Sequence, residues 1–130
     1  MNTSRKPRIV VSDTDYDRLT RLAEASLDWE IGVADELQAE MARTRVVPDE
    51  RVPADTVRMG STVAFTSDAG HRMQVTLVYP AEADIAHGKI SVLTPIGAAL
   101  IGLSVGQSIA WTARGGTRHE LTVTGVIQVD

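Results

Sequence analysis

The sequence contains no cysteine. That removes disulfides, thiolate metal sites and thiol nucleophiles together, and it fits a reducing compartment. Aromatic residues are scarce, with one Phe, two Tyr and two Trp in 130 residues. A core must then be built from Val, Ile, Leu and Ala, and a pocket walled by aromatic rings has little to draw on. No apolar run approaches the ~20 residues that span a bilayer. The stretch Met1 to Arg8 is polar and basic, unlike a secretory leader. A cytoplasmic protein without membrane contact is expected. Nor is there a basic excess: the formal net charge is −4, which argues against nucleic acid as the main ligand.

The charge that is present is unevenly spread. Residues 1–50 hold seven Lys/Arg against eleven Asp/Glu, while residues 51–130 hold six of each. The acidity therefore belongs to the N-terminal segment, and the hydrophobic period also differs between the two parts. Ile9-Val10-Val11 reads as a short strand or extended lead-in. Ser12 then caps a helix whose first turn carries Asp13 and Asp15, both favourable beside the positive end of the helix dipole. Tyr16, Leu19, Leu22 and Ala23 follow at helical spacing. A second helix spans about Val33 to Thr44, with Val33, Leu37 and Met41 recurring every four residues. Two helices of similar length with a short connection predict an antiparallel hairpin, whose tip is Ser26 to Gly32. Pro48 to Pro53 reads as a linker. The expected division is a helical hairpin over 1–50 and a second domain over 54–130.

From Val57 the period changes to two. Val63 and Phe65 alternate with polar or small residues, as do Met73, Val75 and Leu77, and Ser67-Asp68-Ala69-Gly70 between them predicts a β-hairpin turn. Ile90 and Val92 mark a third strand, Ile109 to Ala113 a fourth, and Leu121, Val123 and Val126 a fifth, with Gly115-Gly116 turning between the last two. One helix interrupts the strands. Thr94 fits its N-cap, Pro95 its first position and Gly102 its C′ residue. The expected class is α+β, with an antiparallel sheet of about five strands carrying one short helix.

Within that part, the stretch EADIAHGKISVLTPIGAALIGLSVGQSIAWTARGG, Glu82 to Gly116, resembles the C-terminal domain of Gre-type transcript elongation factors. Glu82-Ala83-Asp84-Ile85, Gly88-Lys89-Ile90-Ser91, Pro95-Ile96-Gly97, Ala99-Leu100-Ile101-Gly102, Val105-Gly106 and Gly115-Gly116 match it in order, and Gly60-Ser61-Thr62-Val63 opens the domain in the same way. The resemblance covers about residues 57–127 and implies an FKBP-like fold. The N-terminal half departs from the elongation factors, whose hairpin is much longer. Pro7-Arg8-Ile9-Val10-Val11-Ser12-Asp13 and Ile31-Gly32-Val33-Ala34-Asp35 resemble instead the branch called regulator of nucleoside diphosphate kinase (Rnk).

The resemblance implies binding to RNA polymerase at the rim of its secondary channel, through Asp84 and the residues that open the short helix: Leu93, Thr94, Pro95 and Ile96. Pro95 is expected to fix the helix start and to present Thr94 and Ile96 outward. In Gre factors, carboxylates at the hairpin tip help hold a catalytic Mg²⁺, as a hard cation requires. Asp28 and Glu30 flank Trp29 at the tip here, but they do not match the family's tip motif. Helices of ~12–15 residues also reach only ~18–23 Å. They are expected to form a solvated acidic turn, with Trp29 packed on the helices. Glu36 and Glu40, one turn apart, read as a solvated face. His71, His87 and His119 lack metal-ligand spacing, and the glycines form neither GxGxxG nor a Walker loop.

The sequence thus predicts a monomeric binding module with no catalytic residue, metal or cofactor. It would compete with or modulate Gre factors on RNA polymerase without stimulating transcript cleavage. The alternative is a regulator of nucleoside diphosphate kinase, direct or indirect. Proline isomerase activity would follow from fold analogy alone, and only Phe65, Tyr79 and Trp111 are there to line such a pocket.

Overall fold

The computed structural model describes residues 7–26, 31–113 and 115–128. Strand β1, Val10–Ser12, runs straight into helix α1, Asp13–Ala25. Ser12 stays extended and its hydroxyl accepts the Asp15 N–H at 3.1 Å, so the helix start expected from the sequence is formed. Leu19 and Ala23 are buried on one face of α1. Helix α2, Ile31–Arg43, packs against α1 and buries Val33, Leu37 and Met41. The turn expected at the hairpin tip, with Asp28, Trp29 and Glu30, lies outside the described residues.

Two features of this half were not legible. Strand β2, Arg45–Val47, follows α2 and pairs in parallel with β1, in a stretch to which the sequence reading assigned no element. Glu40, read as part of a solvated face, is buried, and its carboxylate lies 2.6 Å from the Arg43 guanidinium. The Arg43 guanidinium also donates to the Pro7 carbonyl, so a buried acid is matched by a base that ties down the chain before β1. A buried charge is tolerated when it is paired in this way.

The second half forms a five-stranded sheet in the order β5-β4-β3-β7-β6. Its strands are β3 Thr62–Ser67, β4 Arg72–Val78, β5 Lys89–Ser91, β6 Ser108–Thr112 and β7 Arg118–Ile127. Strands β3 and β4 pair across the 67–70 turn, as expected. The sheet is mixed, however, where the sequence predicted an antiparallel one. Strand β5 runs parallel to β4 because residues 79–88 loop back far enough for Lys89–Ser91 to pair with Thr76–Val78, the last three residues of β4. The register of β3 on β7 shifts between Ala64 and Phe65, an irregularity that alternation alone does not reveal.

Helix α3, Pro95–Leu100, lies over the sheet, and Ala98, Leu100 and Ile101 are almost wholly buried. One apolar cluster joins Leu19, Leu37 and Met41 of the helices to Phe65, Leu77, Leu100 and Leu121. Backbone contacts reinforce this junction. Val10 N–H donates to the Gly102 carbonyl at 3.2 Å, Gln107 Nε2 to the Arg8 carbonyl at 3.1 Å, and Met59 N–H to Asp15 Oδ2 at 3.2 Å. Gly102 has φ +81°, and a Cβ there would lie 2.8 Å from the Ile9 Cβ. Both conformation and space therefore demand glycine at the seat of the N-terminal strand.

Candidate functional site

Residues 79–91 form one edge of the sheet and carry the first of the sequence-predicted site residues. After β4 the chain makes two 3-10 turns, Pro80–Glu82 and Ile85–His87. Asp84 sits between them and exchanges backbone hydrogen bonds with Lys89, both at 2.9 Å. Gly88, at φ +73°, takes the left-handed conformation that closes the second turn. The loop is thus braced by its own backbone. It presents the Ile85 side chain 86% exposed, the most exposed large apolar residue among those described. Beside it, the Asp84 carboxylate lies 2.7 Å from His87 Nδ1. Both groups are exposed, so this contact orients the carboxylate more than it stabilises the fold.

The second segment opens α3. Thr94 is extended, donates its hydroxyl to the Ser91 carbonyl at 2.7 Å and accepts the Gly97 N–H at 3.1 Å. Leu93 N–H donates to Ser91 Oγ at 3.0 Å. A Cβ on Gly97 would lie 2.9 Å from Thr94 Oγ1, so the cap leaves room only for glycine there. Of the expected residues, Asp84 is exposed, Leu93, Thr94 and Ile96 are half-buried, and Pro95 is buried. Pro95 therefore anchors the helix start rather than forming part of the surface. The two segments flank β5, whose three residues separate them by roughly 10 Å at ~3.3 Å per residue. They adjoin the two ends of this edge strand, and the helix that the second segment opens packs on α2 and β6.

Ile85 was quoted in the sequence motif but not singled out. The signal that could have found it is an isoleucine inside a turn-rich, non-periodic stretch, where no neighbouring strand or helix stripe would bury it.

A second polar cluster fastens α1 to the sheet domain. Burial raises the pKa of Asp15, while the Met59 N–H and the Arg58 charge pull it back. Burial and the Asp15 charge raise that of Tyr79, whose ring centroid lies 5.9 Å from the Arg18 guanidinium carbon. Desolvation pushes Asp49 upward too, but hydrogen bonds from Thr14, at 3.1 Å, and Ser12 hold it below the ordinary carboxylate value. These groups secure the junction.

Among the described residues no three His, Cys, Asp or Glu side chains converge as metal ligands. His119 stacks on Trp111 with centroids 5.0 Å apart and lies 3.7 Å from Asp68, while His87 lies within ion-pair range of Asp84. What the edge offers is an exposed apolar side chain with carboxylates at Glu82 and Asp84 on a braced loop. That arrangement suits recognition of a partner.

Comparison with known proteins identifies the family of both parts of the chain. Residues 52–128 match the model of the GreA/GreB transcription elongation factor C-terminal region, and residues 7–47 match that of the Rnk N-terminus. The chain is 39% identical to the regulator of nucleoside diphosphate kinase of Escherichia coli strain K12, covering 91% of this chain and 88% of that protein. It is 40% identical over 90 residues to transcription elongation factor GreA of Rhodospirillum rubrum, covering 68% of this chain and 57% of that protein. Among solved structures, a prokaryotic transcription elongation factor GreA/GreB from Nitrosomonas europaea superposes with a TM-score of 0.74 at 37% identity, covering 92% of this chain and 99% of that one. A five-stranded sheet with a short helix, preceded by a short helical segment and matched along both parts, places this chain in the GreA/GreB transcription elongation factor family, with the N-terminal segment of its Rnk branch.

Proposed function

We propose that this protein is a Gre-type transcription regulator that docks on RNA polymerase near the rim of the secondary channel and acts there by occupancy. The docking residues are Asp84, Leu93, Thr94, Pro95 and Ile96, with Pro95 acting through the helix start it fixes, and Ile85 joins them. In this reading α1 and α2 form a short antiparallel hairpin over 1–50, and 54–130 forms an FKBP-like domain that carries the docking edge. The protein works in the cytoplasm as a monomer, without a cofactor and without direct nucleic-acid binding.

The observation that carries the reading is the loop Pro80–His87. It lies inside the segment matched by the GreA/GreB family model and leaves Ile85 and Asp84 facing solvent. Burying an isoleucine side chain is worth about 1.5–3 kcal/mol, and flanking carboxylates steer a partner of opposite charge. Occupancy without cleavage follows from reach. Each helix has 13 residues, roughly 20 Å at 1.5 Å per residue, which is short for delivering tip carboxylates to a distant catalytic ion.

Binding of purified RNA polymerase to immobilised protein tests the surface. Ile85→Ala is expected to weaken binding about tenfold, the equivalent of about 1.4 kcal/mol, with the melting temperature unchanged. Asp84→Asn is expected to weaken it too and to flatten its salt dependence. Wild-type affinity in both variants would remove this edge from the account.

A second reading rests on the name of the Escherichia coli relative, regulator of nucleoside diphosphate kinase. A direct action on that kinase requires the two purified proteins to co-elute. Absence of co-elution leaves only an indirect effect through transcription.

A further inference from the structure

Strand β2 is the open edge of the small sheet it makes with β1, whose other side is tied to the second half by the bond from Val10 N–H to the Gly102 carbonyl. The pairing fixes which groups are open. Arg45 stands in register with Val10, and its N–H donates to the Ile9 carbonyl at 3.0 Å. In a parallel pair alternate residues bond to the neighbouring strand, so Arg45 and Val47 turn their peptide groups towards β1. The N–H and C=O of Val46 then point away from the sheet. One residue of an added strand can exchange both bonds with Val46.

A cavity of about 360 Å³ lies beside this edge. Val46, 42% exposed, gives it apolar surface together with Pro48 and Pro53, and the charged residues of its lining are Arg45 and Arg51. Both arginines are exposed, and among the described residues neither lies within ion-pair range of a carboxylate. Asp49 and Glu50, next to Arg51 in sequence, do not line the cavity, and the Asp49 carboxylate is turned to the Thr14 hydroxyl at 3.1 Å. The positive charge is therefore left for a partner. No aromatic ring lines the cavity on which the bases of a nucleic acid would stack. An extended peptide instead meets apolar surface, open backbone groups and cations together. Side chains alternate along a strand, so Val46 and Arg45 point to opposite faces of β2. In a strand laid beside it, the residue opposite Val46 shares the face of Val46, and its two neighbours share the face of Arg45.

The geometry points to a docking groove at β2 for an extended acidic segment of a partner protein, which pairs an apolar residue with Val46 and sets an acidic residue on either side of it towards the arginines. None of these residues belongs to the docking surface proposed above, so the groove stands whether or not that surface does.

The test uses the full chain and the acetylated, amidated pentapeptide Thr-Glu-Val-Glu-Thr at millimolar concentration, followed by amide hydrogen exchange. The expected result is slowed exchange of the Val46 amide, with that of Arg45 unchanged because it already bonds to β1. Thr-Lys-Val-Lys-Thr is expected to bind at least about tenfold more weakly, since it sets like charges against the arginines. N-methylation of the peptide's valine removes a backbone donor without touching the protein and is expected to weaken binding as well. The double variant Arg45→Glu, Arg51→Glu alters only exposed side chains and is expected to invert the preference between the two peptides. No protection of Val46 by the acidic peptide overturns the groove. Equal binding of the two peptides, or an unchanged preference in the double variant, overturns the charge assignment. A single-stranded RNA hexanucleotide that displaces the acidic peptide would give the arginines to nucleic acid and overturn the peptide assignment. So would a peptide-free dimer in which Val46 is already protected, which would give the edge to a second copy.

Discussion

Two isoleucines that follow turn-like or extended stretches meet opposite fates. Ile9 is 1% exposed, seated against Gly102 where no Cβ fits, while Ile85 is 86% exposed on a loop braced just as firmly by backbone bonds. Rigidity is common to both regions, and burial is not. At the Ile9 seat, the apolar side chain holds the N-terminal strand and helices to the sheet. At Ile85, the same side chain is held in water at a cost the fold itself does not recover. In the proposed function this ordered, exposed side chain forms part of the docking surface for the polymerase.

The comparison is broken most severely from the buried side. Leu37 is fully buried in the cluster shared by the helices and the sheet. Leu37→Ala is expected to cost about 2–5 kcal/mol, read as a drop in the denaturation midpoint. It should destabilise the sheet strands together with the helices in one transition. Two separate transitions would mean that the shared core does not couple the halves. Next in size, Gly102→Ala combines an unfavourable φ with a 2.8 Å approach to Ile9. It is expected to cost about 1–3 kcal/mol and to speed exchange of the Val10 amide. An unchanged midpoint would mean that the seat is slack.

The smallest effects concern the acids at the junction, and their signs differ. Asp15 titrates above its unfolded value of 3.8. Between the two values the folded state holds the extra proton, so stability falls as pH rises through that window. Asp15→Asn, which keeps an acceptor for the Met59 N–H, should abolish that fall and change stability at pH 7 by less than about 1 kcal/mol. Asp49 titrates below 3.8. Its contribution is present above the unfolded value and is lost as pH falls through the folded one. Asp49→Asn should therefore lower stability at neutral pH and leave a flatter acid limb. Denaturation from pH 3 to 7 separates the two, and identical slopes in both variants would contradict the assignment.

The sequence announced what short-range chemistry dictates. The Ser12 cap, the Thr94-Pro95 helix start, the Ser67–Gly70 turn and the buried stripe of α2 each depend on a few neighbouring residues. What it hid depends on distant partners. The parallel pairing of β1 with β2 joins three-residue strands across two helices. The direction of β5 is decided by residues 79–88, whose path alternation does not encode. Glu40 reads as surface because its spacing from Glu36 is helical, yet Arg43 and the Pro7 carbonyl make a buried acid tolerable. At the proposed docking edge the motif drew attention to Asp84 and Pro95. Pro95 proved to be the buried support and Ile85 the exposed feature, a distinction that only solvent exposure reveals.

The most direct test of the central claim is a stalled RNA polymerase elongation complex challenged with this protein and with a Gre factor as competitor. Binding that displaces the Gre factor, weakens with Ile85→Ala and yields no shortened transcript is the predicted result. Transcript cleavage stimulated by this chain alone, or no binding at all, would contradict it.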